Sequence, residues 1–392
     1  MRFSQQQLNS PLVRPMKRIL KWIAATIFLA LILSIFAGFI AYWRSTSECD
    51  RKTVPSNPMK AIVQCEYGSP DLLKFEDVEK PVPNDNEILI KVRAASLNFI
   101  DAGLMRSPFL LRLMTGGLRK PKKTELGSDV AGQVEAIGKN VTQFKPGDEV
   151  FGLARPSLAE YVCARERALV IKPANVTFEQ AGSVGLAGLT ALQGLRTGKI
   201  QPGQKVLING ASGGVGTFAV QIAKSFGTEV TAVCSTSKVD LVRPIGADHV
   251  IDYTKEDFTK SEQRYDVIYD NVGNRSRAER SRILTPNGIC VLAGIGGAGP
   301  HEGQLSRIGG GYKAFLASRF SRQKFQMYRT TTKQEDLAVL RDLMATGKVT
   351  PVIDRTYKLG ETAEAMRYLE QGHARGKVVI TVEQDEQASL SR

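Results

Sequence analysis

The sequence is poor in the side chains that most often bind metal ions. Its 392 residues contain three histidines, His249, His301 and His373, and five cysteines, none of them in a Cys-x-x-Cys pair. Closely spaced ligands of the kind that hold zinc are therefore missing, and no metal site is predicted. The scattered cysteines also do not resemble a disulfide framework, which indicates a reducing compartment.

Acidic residues are absent from two long stretches of a chain whose formal net charge is +14. Residues 102–124 contain six Lys and Arg, and residues 303–334 contain seven, with no Asp or Glu in either. This local positive charge predicts anionic lipid headgroups as a neighbour, with a solvated helix face as the alternative and, for 102–124, a lid as another. No helix-turn-helix, zinc-finger or aromatic RNA-binding motif occurs, so a nucleic-acid partner is not predicted.

One stretch lacks charge of either sign. Residues 22–43, WIAATIFLALILSIFAGFIAYW, contain no Asp, Glu, Lys or Arg. As an α-helix they would extend about 33 Å, against about 30 Å for the hydrocarbon core of a bilayer. Aromatic residues at both ends favour the membrane interface. We therefore predict a basic segment over 1–21, a transmembrane helix over 22–43 and a polar linker over 44–58.

The remaining chain is long enough for about two domains. Runs of β-forming residues separated by Gly, Pro and Asn turns occupy 59–174. Residues 175–318 alternate short apolar strands with helical segments, a pattern typical of a parallel sheet covered on both faces. Two amphipathic helices and a strand follow in 319–385, and 386–392 form a short tail. The fold class is α/β.

The strongest chemical motif lies in KVLINGASGGVGTFAVQIAKSFG. A strand over 205–209 leads into a glycine-rich turn that opens a helix, which is the arrangement of a dinucleotide site. A turn without bulky side chains lets the backbone approach a pyrophosphate, and the helix N-terminus attracts its negative charge. The predicted contacts are Ala211, Gly213, Gly214, Val215 and Gly216. Glycines that serve only close packing are the alternative.

The end of the next strand distinguishes the cofactor. An NAD site would place Asp or Glu there to bind the ribose hydroxyl, whereas this chain has Val233-Cys234-Ser235-Thr236-Ser237-Lys238. Ser235 and Lys238 suit a 2′-phosphate, which a carboxylate would repel. NADPH is therefore the predicted cofactor. A serine cap for the next helix with a solvated lysine is the alternative.

Several stretches together carry a family resemblance: AASLNFID, LGSDVAGQVEAIGKNVTQFKPGDEVFG, GLAGLTALQGL, the glycine turn, YDVIYDNVG and GHARGKVVI. Over residues 59–382 the chain resembles the zinc-free quinone oxidoreductase branch of the medium-chain dehydrogenase/reductase superfamily. The resemblance implies a GroES-like, partly open β-barrel catalytic domain over 59–174 and 319–385. A Rossmann domain, a doubly wound parallel sheet that binds NADPH, would be inserted over 175–318. Family members are often homodimers, which the resemblance extends to this chain as an expectation.

The resemblance also assigns roles to residues. Asn98 would donate to the substrate oxygen or to the nicotinamide ribose, and Asp101 would orient the loop, although Phe99 replaces the usual proline. For Asn98, an ordinary turn asparagine is the alternative. Asn271 and Gly273 follow a strand at the carboxyl edge, where ligands bind in doubly wound sheets. Further predicted cofactor contacts are Thr190, Tyr253, Gly294, Gly296 and Lys377, the last with a surface lysine as its alternative.

Gly127-Ser128-Asp129 stands where the zinc enzymes of the superfamily have a metal-binding histidine. Without a Lewis acid, quinones and α,β-unsaturated carbonyls are better hydride acceptors than simple carbonyls. The predicted activity is therefore metal-free, NADPH-dependent reduction of such acceptors. An enoyl-thioester or specific enone reductase is one alternative, although Phe109 stands where those enzymes carry a tyrosine. A non-catalytic membrane-tethered NADPH-binding scaffold or sensor is another.

Two arguments on membrane orientation disagree. Five basic residues precede the predicted span and three follow it, which by the positive-inside rule weakly places the large domain outside the cytoplasm. NADPH, however, is a cytoplasmic or organelle-matrix molecule. We give the cofactor more weight and predict a single-pass membrane protein whose catalytic domain faces a compartment that contains NADPH.

Overall fold

The computed structural model describes residues 13–44, 54–107, 112, 120–121, 126–293 and 322–383. The chain forms two compact units. One comprises Met1–Lys52, Cys65–Tyr67 and Ser107–Thr124, and the other comprises Thr53–Gln64, Gly68–Arg106 and Glu125–Arg392. The predicted basic segment 1–21, the linker 44–58 and the basic stretches 102–124 and 303–334 lie partly outside the described residues. The tail 386–392 lies wholly outside them.

The described elements follow one another along the chain. The strands are β1 Pro58–Gln64, β2 Leu73–Glu79, β3 Glu87–Leu97, β4 Asp129–Ile137, β5 Glu149–Leu153, β6 Tyr161–Arg165, β7 Leu169–Ile171, β8 Lys205–Asn209, β9 Glu229–Cys234, β10 His249–Asp252, β11 Tyr265–Asp270, β12 Leu284–Leu292, β13 Lys324–Met327, β14 Ile353–Lys358 and β15 Lys377–Thr381. The helices are α1 Val13–Arg44, α2 Phe99–Arg106, α3 Phe178–Gly182, α4 Gly185–Thr197, α5 Gly214–Ser225, α6 Val239–Val242, α7 Arg277–Arg282, α8 Gln334–Ala345 and α9 Thr362–Glu370.

Helix α1 contains the whole stretch predicted to cross a membrane. Its described side chains are almost all exposed, among them Trp22, Phe28, Ile35 and Phe36. Within the described residues, however, no helix has both the length and the hydropathy of a membrane span. The helical conformation of residues 22–43 is thus observed, whereas the prediction that they span a membrane is not confirmed.

The cysteines differ from the expectation in one respect. Cys65 is disulfide-bonded, whereas Cys163, Cys234 and Cys290 are free thiols. The expectation of reduced cysteines throughout is therefore wrong for Cys65. Sequence spacing does not reveal such a pair because the fold, not the interval along the chain, decides which cysteines meet.

Six parallel strands form one sheet in the order β10-β9-β8-β11-β12-β13. Apolar residues cover both of its faces: Val206 and Ile208 of β8 join one buried cluster, whereas Leu207 between them joins another. This two-sided burial explains the continuous apolar runs of these strands. The predicted Rossmann sheet is confirmed. Its last strand, β13, lies beyond residue 318, and the predicted domain boundaries themselves stay a prediction.

A second sheet has the order β14-β15-β3-β4-β5-β7, with β6 also paired to β3. Its pairings are antiparallel except that of β14 with β15. The eleven-residue strand β3 lies at the centre of this sheet. Its side chains Ile88, Ile90 and Val92 are fully buried in the core. This sheet corresponds to the predicted GroES-like domain. Because β3 pairs with both β4 and β15, the residue that follows β3 lies close to residues of these two strands.

Candidate active site

Three strand ends meet at one edge of the second sheet. Strand β3 runs antiparallel to both β4 and β15, so that its last residues pair with their first ones. Ser96 is opposite Asp129, and Leu97 is opposite Val378. Asn98, which follows β3, is therefore placed beside Asp129 and Lys377, although these residues are far apart in sequence.

Lys377 and Asp129 form a buried ion pair with Asn98 between them. The Lys377 Nζ atom donates to Asn98 Oδ1 at 2.8 Å, to Asp129 Oδ2 at 3.2 Å and to the Leu97 carbonyl at 3.1 Å. Asn98 Nδ2 donates to Asp129 Oδ2 at 2.9 Å. The Lys377 and Asp129 side chains are only 3% and 0% exposed. The alternative of Lys377 as a surface lysine is therefore wrong.

Asp129 is surrounded by donors on both carboxylate oxygens. Oδ2 also accepts from Ser96 Oγ at 2.7 Å, and Oδ1 accepts from the Leu186 N–H at 2.6 Å. Leu186 lies in the first turn of α4, where backbone N–H groups lack partners within the helix and favour a negative charge. The sequence motif Ser128-Asp129 indicates only the replacement of a metal-binding histidine, and it gives no sign of the buried position of this carboxylate.

The network fixes the orientation of the Asn98 amide. Its oxygen faces the Lys377 ammonium and its nitrogen faces the Asp129 carboxylate, and the reverse orientation would place donor against donor. One of the two Nδ2 hydrogens bonds Asp129, which leaves the other for a further acceptor. Asn98 thus differs from an ordinary turn asparagine, and its catalytic role stays a prediction.

Asp101 lies behind the same loop. Its Oδ2 accepts from the Asn98 backbone N–H at 2.8 Å, at the start of α2. Burial raises the pKa of Asp101 from 3.8 to about 6, the backbone hydrogen bond opposes the rise, and the nearby charge of Asp129 adds to it. Arg155 and Lys377 oppose the rise more weakly. The contact with the Asn98 backbone fits the predicted loop-orienting role.

The glycine turn between β8 and α5 leaves backbone open where a ligand would approach. A Cβ atom at Gly213, the N-cap of α5, would meet only the Gly210 carbonyl oxygen, at 3.6 Å. A Cβ at Gly216 would lie 2.1 Å from that oxygen, so Gly216 is required for the close packing of helix and strand. Ala211 is buried, and Val215 packs on the core. This arrangement fits a dinucleotide pyrophosphate.

Gly214 connects this turn to the buried network. A Cβ atom at Gly214 would lie 3.0 Å from Lys377 Cδ. The stem of Lys377 therefore passes the N-terminus of α5 while its ammonium group is held by Asn98 and Asp129. The prediction that Lys377 contacts a cofactor phosphate stays a prediction, and its observed polar contacts are those of the network.

The loop after β9 carries the residues predicted to bind a 2′-phosphate. Ser235 is partly exposed, and its Oγ lies 3.5 Å from Ser237 Oγ. Lys238 Nζ donates to the Ala374 carbonyl at 3.1 Å, and burial lowers the pKa of Lys238. Tyr253 is exposed, and its backbone N–H donates a hydrogen bond to the Cys234 carbonyl at 3.0 Å. A lysine whose ammonium is only half-buried keeps N–H groups for a phosphate.

The loop after β11, which contains Asn271 and Gly273, lies beside the glycine turn. A Cβ at Gly210 would lie 2.8 Å from Val272 Cγ2. The Asn271 N–H donates to the Asn209 carbonyl at 3.1 Å, and the Gly273 N–H donates to Asp270 Oδ1 at 2.8 Å. Gly273 has φ +73°, a backbone conformation that favours glycine. Both residues are therefore at the carboxyl edge of the sheet.

Of the remaining predicted cofactor contacts, only Thr190 lies within the described residues. Thr190 Oγ1 lies 3.0 Å from Thr330 Oγ1, and its carbonyl accepts from the hydroxyls of Tyr269 and Tyr328. These contacts tie α4 to the six-stranded sheet and do not by themselves indicate cofactor binding. Gly294 and Gly296 lie outside the described residues, as does Phe109.

A cavity of about 270 Å³ lies beside the buried network. Ser128 precedes Asp129 in the chain, and Leu186 donates to Asp129, so the cavity adjoins the carboxylate through two of its lining residues. Arg155 Nε donates to Ser128 Oγ at 2.9 Å at one wall. Arg155 was not predicted, since it belongs to no motif. The cavity is lined by Ser128, Leu153, Ala154, Arg155, Leu186 and Thr332.

A catalytic zinc ion does not fit the residues at this position. Ser128 replaces the histidine, and Asp129 already faces the Lys377 ammonium, which supplies the local positive charge. Throughout the part of the chain that the structure describes, no three His, Cys, Asp or Glu side chains are grouped to hold a metal ion. Catalysis without a metal stays a prediction.

Two protein-family models match the chain: an alcohol dehydrogenase GroES-like domain over residues 84–174 and a zinc-binding dehydrogenase domain over residues 245–380. A 2-methylene-furan-3-one reductase from Solanum lycopersicum is 35% identical over 84% of this chain and 80% of its own length. The chain belongs to the medium-chain dehydrogenase/reductase superfamily, in the quinone oxidoreductase and alkenal/one reductase-like branch. The prediction of an oxidoreductase of this family is confirmed.

Two further relatives agree with this placement. An NADPH-dependent alkenal/one oxidoreductase, chloroplastic, from Arabidopsis thaliana is 34% identical, over 82% of this chain and 79% of its own. A solved quinone oxidoreductase structure from Coxiella burnetii has a TM-score of 0.73 and 32% identity, and the match covers 83% of this chain and 100% of that one. The family assignment therefore agrees between sequence and fold.

Proposed function

We propose that the protein transfers a hydride from NADPH to a quinone or an α,β-unsaturated carbonyl compound without a metal ion. The observation that carries this proposal is the buried network of Lys377, Asn98 and Asp129. This network lies between the glycine turn, where the dinucleotide would bind, and the cavity, where the acceptor would bind. The relatives, by their names, include quinone, alkenal/one and furanone reductases.

The cofactor would be held at the carboxyl edge of the six-stranded sheet. The turn at Gly213 and Gly214 would receive the pyrophosphate, the loop after β11 would lie along the nicotinamide half, and Ser235 with Lys238 would receive the 2′-phosphate. When bound, NADPH supplies the hydride. A preference for NADPH is supported by the absence of a carboxylate from the loop Ser235–Lys238 and by the name of the Arabidopsis relative.

The protein's own residues then stabilise charge and exclude water. Hydride addition leaves negative charge on the oxygen of the acceptor, and a donor that is already oriented stabilises it at little cost in reorganisation. The second Nδ2 hydrogen of Asn98 is such a donor, since Lys377 and Asp129 fix the amide. The Lys377 ammonium group donates a hydrogen bond to Asn98 Oδ1, and this hydrogen bond polarises the Asn98 amide.

The experiment compares NADPH and NADH oxidation by the purified full-length chain in detergent, across a panel of quinones and enones. We expect turnover with NADPH, a clearly lower kcat/KM with NADH, and no loss of activity with a strong zinc chelator. The variant Asn98→Ala should keep NADPH binding but lose about 10²-fold or more in kcat, the typical cost of removing one oxyanion donor. NADPH binding without any consumption would instead indicate a scaffold or sensor.

We also propose that helix α1 attaches the protein to a membrane. The support is its row of exposed apolar side chains, with Trp22, Phe28, Ile35 and Phe36 each at least 60% exposed. Such a surface is unfavourable in water. Alkaline carbonate extraction of cells that express the chain should leave it in the membrane pellet, and deletion of residues 1–52 should release it. Release of the intact chain would contradict the proposal.

The finer features of this arrangement stay predictions. We expect the catalytic domain to face an NADPH-containing compartment, the cytoplasm or an organelle matrix, and protease protection in sealed vesicles would test this. Contacts of the stretches 102–124 and 303–334 with anionic lipid, and a homodimer, are further predictions. Vesicle binding with anionic and neutral lipids tests the first, and light scattering in detergent tests the second.

A further inference from the structure

Arg155 is a charged side chain in the cavity beside the buried network, and the mechanism above does not use it. Six residues of the described part of the chain line this cavity, and Arg155 is the only charged one among them. The others are two hydroxyl residues, Ser128 and Thr332, and apolar ones, among them Leu153 and Leu186. Arg155 is exposed, so its guanidinium is open to solvent and accessible to a ligand that enters the cavity.

The guanidinium is anchored at one point and open at the others. Arg155 Nε donates to Ser128 Oγ at 2.9 Å, which fixes the plane of the group against the wall of the cavity. Among the described residues, its terminal nitrogens have no hydrogen-bond partner and no carboxylate forms an ion pair with it. Asp101 is close enough for the charge of Arg155 to lower its pKa, but it is fully buried and bonded to the Asn98 backbone.

We propose, on the basis of the function proposed above, that Arg155 selects acceptors that carry a carboxylate group in addition to the unsaturated carbonyl. The planar guanidinium presents parallel N–H groups that match the two oxygens of a carboxylate. Leu153 and Leu186 provide apolar contact for the short carbon chain between the two groups. The volume of about 270 Å³ is slightly below the usual range for ligand cavities of about 300–1,000 Å³, which favours small acceptors.

Short 4-oxo-2-enoic acids have this chemistry. In the reaction, the carbon–carbon double bond accepts a hydride from NADPH at one carbon and a proton at the other. The products are the saturated 4-oxo acid and NADP⁺, and the carboxylate itself is unchanged. Arg155 would therefore act by positioning one end of the acceptor, while Asn98 faces the carbonyl oxygen at the other.

The test compares 4-oxopent-2-enoate with its neutral methyl ester, which has the same reacting atoms. We expect the wild-type protein to have at least tenfold higher kcat/KM for the acid. The substitution Arg155→Gln should lower kcat/KM for the acid by about ten- to hundredfold, the range expected for a lost charge-assisted hydrogen-bond pair. It should change the value for the ester less than twofold and leave the KM for NADPH unchanged. Arg155→Lys should retain part of the preference.

Arg264→Gln, which removes an exposed arginine from a loop of the six-stranded sheet, is the control and should change neither value. Equal losses for acid and ester, or a raised KM for NADPH, would overturn the proposal in favour of a structural or cofactor-binding role for Arg155. Wild-type turnover of the ester and of quinones without preference for the acid would also overturn it, while leaving the proposed function intact.

A second measurement does not depend on turnover. In the presence of NADP⁺, the saturated 4-oxopentanoate should raise the melting temperature of the wild-type protein more than its methyl ester does, and Arg155→Gln should abolish this difference. If no acceptor is reduced but this difference is present, the proposed function fails and the carboxylate site stands. If the two compounds shift the melting temperature equally, the carboxylate site fails.

Discussion

A lysine with a 3% exposed side chain is rare, and Lys377 is stable in its position because three oxygen atoms receive its ammonium group. Its partner Asp129 is equally buried and also accepts hydrogen bonds from Ser96 of β3, from Asn98 just after β3 and from the Leu186 N–H of α4. The pair is therefore one part of a network, and the removal of one member leaves the other charge uncompensated.

We predict that Lys377→Met lowers the free energy of unfolding by about 3–5 kcal/mol, because Asp129 then remains buried without its cation. The double variant Lys377→Met/Asp129→Asn should lose at least about 1 kcal/mol less than the sum of the two single variants, as expected for residues in direct contact. Urea unfolding of the four proteins at pH 7 measures this coupling. Additive losses would mean that the pair contributes no mutual stabilisation.

Asp101 provides a second prediction, because its pKa is raised from 3.8 to about 6. The folded protein holds this proton more tightly than the unfolded chain, so the resulting stability is fully present below pH 3.8 and is lost as the pH rises through 6. A shift of about two units corresponds to about 3 kcal/mol. Asp101→Asn should therefore gain up to about this amount relative to the wild type between pH 4 and pH 7.

Urea unfolding at both pH values measures this gain. Asp240→Asn, at an exposed aspartate, is the control and should show no comparable change with pH. A wild-type stability that runs parallel to that of Asp101→Asn over this range would show that burial does not keep the carboxyl group protonated.

At the scale of elements, we propose that the two glycines at the junction of β8 and α5 have different roles: Gly216 permits close packing, and Gly213 contacts the ligand. Gly216→Ala would place a methyl group 2.1 Å from the Gly210 oxygen, which forces the turn open. We expect it to lower the free energy of unfolding by about 1–3 kcal/mol and to abolish NADPH binding. Gly213→Ala has space and a φ of −83°, so it should fold normally and weaken NADPH binding at least about tenfold.

Thermal unfolding and fluorescence titration with NADPH measure the two effects on the same samples. The two substitutions serve as controls for one another, because each adds one methyl group to the same turn. An equal loss of stability in both variants would contradict the proposed division between packing and ligand contact.

The glycine turn and the strands around it were predictable because their signals are local: each strand, turn and helix follows the previous one in the chain. The network of Asn98, Asp129 and Lys377 was not, although Asn98 and Lys377 were singled out separately. Their association depends on the antiparallel register of β3 with β4 and β15, and a single sequence does not specify which strands pair. Arg155 belongs to no motif, and its position became visible only with the cavity.

At the scale of the whole molecule, the loop after β9 connects the six-stranded sheet with the seven-stranded sheet. Lys238, which follows β9 of the parallel sheet, donates to the carbonyl of Ala374, which precedes β15 of the other sheet. The side chain that we propose to bind the 2′-phosphate therefore also forms a contact between these two sheets. A bound 2′-phosphate at Lys238 would act on both sheets at once.

We predict that NADPH at about 100 times its Kd raises the free energy of unfolding by about 2.7 kcal/mol. In Lys238→Ala, the stabilisation by NADPH at the same concentration should fall to that given by NADH, since the 2′-phosphate no longer has its lysine. Thermal shift measurements with both nucleotides test this prediction. Lys145→Ala, which removes an exposed lysine distant in sequence from Lys238, is the control. A preserved difference between the nucleotides would exclude Lys238 from phosphate recognition.

Strand β15 has a consequence for biosynthesis. It contributes Lys377 and fills the place between β14 and β3, yet it is the last described strand that the ribosome makes. Until it emerges, residues 94–97 at the end of β3 lack their β15 partner, and Asp129 lacks its cation. A nascent chain can therefore form the parallel sheet and the turn between β8 and α5 before β15 is made, whereas the network of Lys377, Asp129 and Asn98 forms only after β15 has emerged.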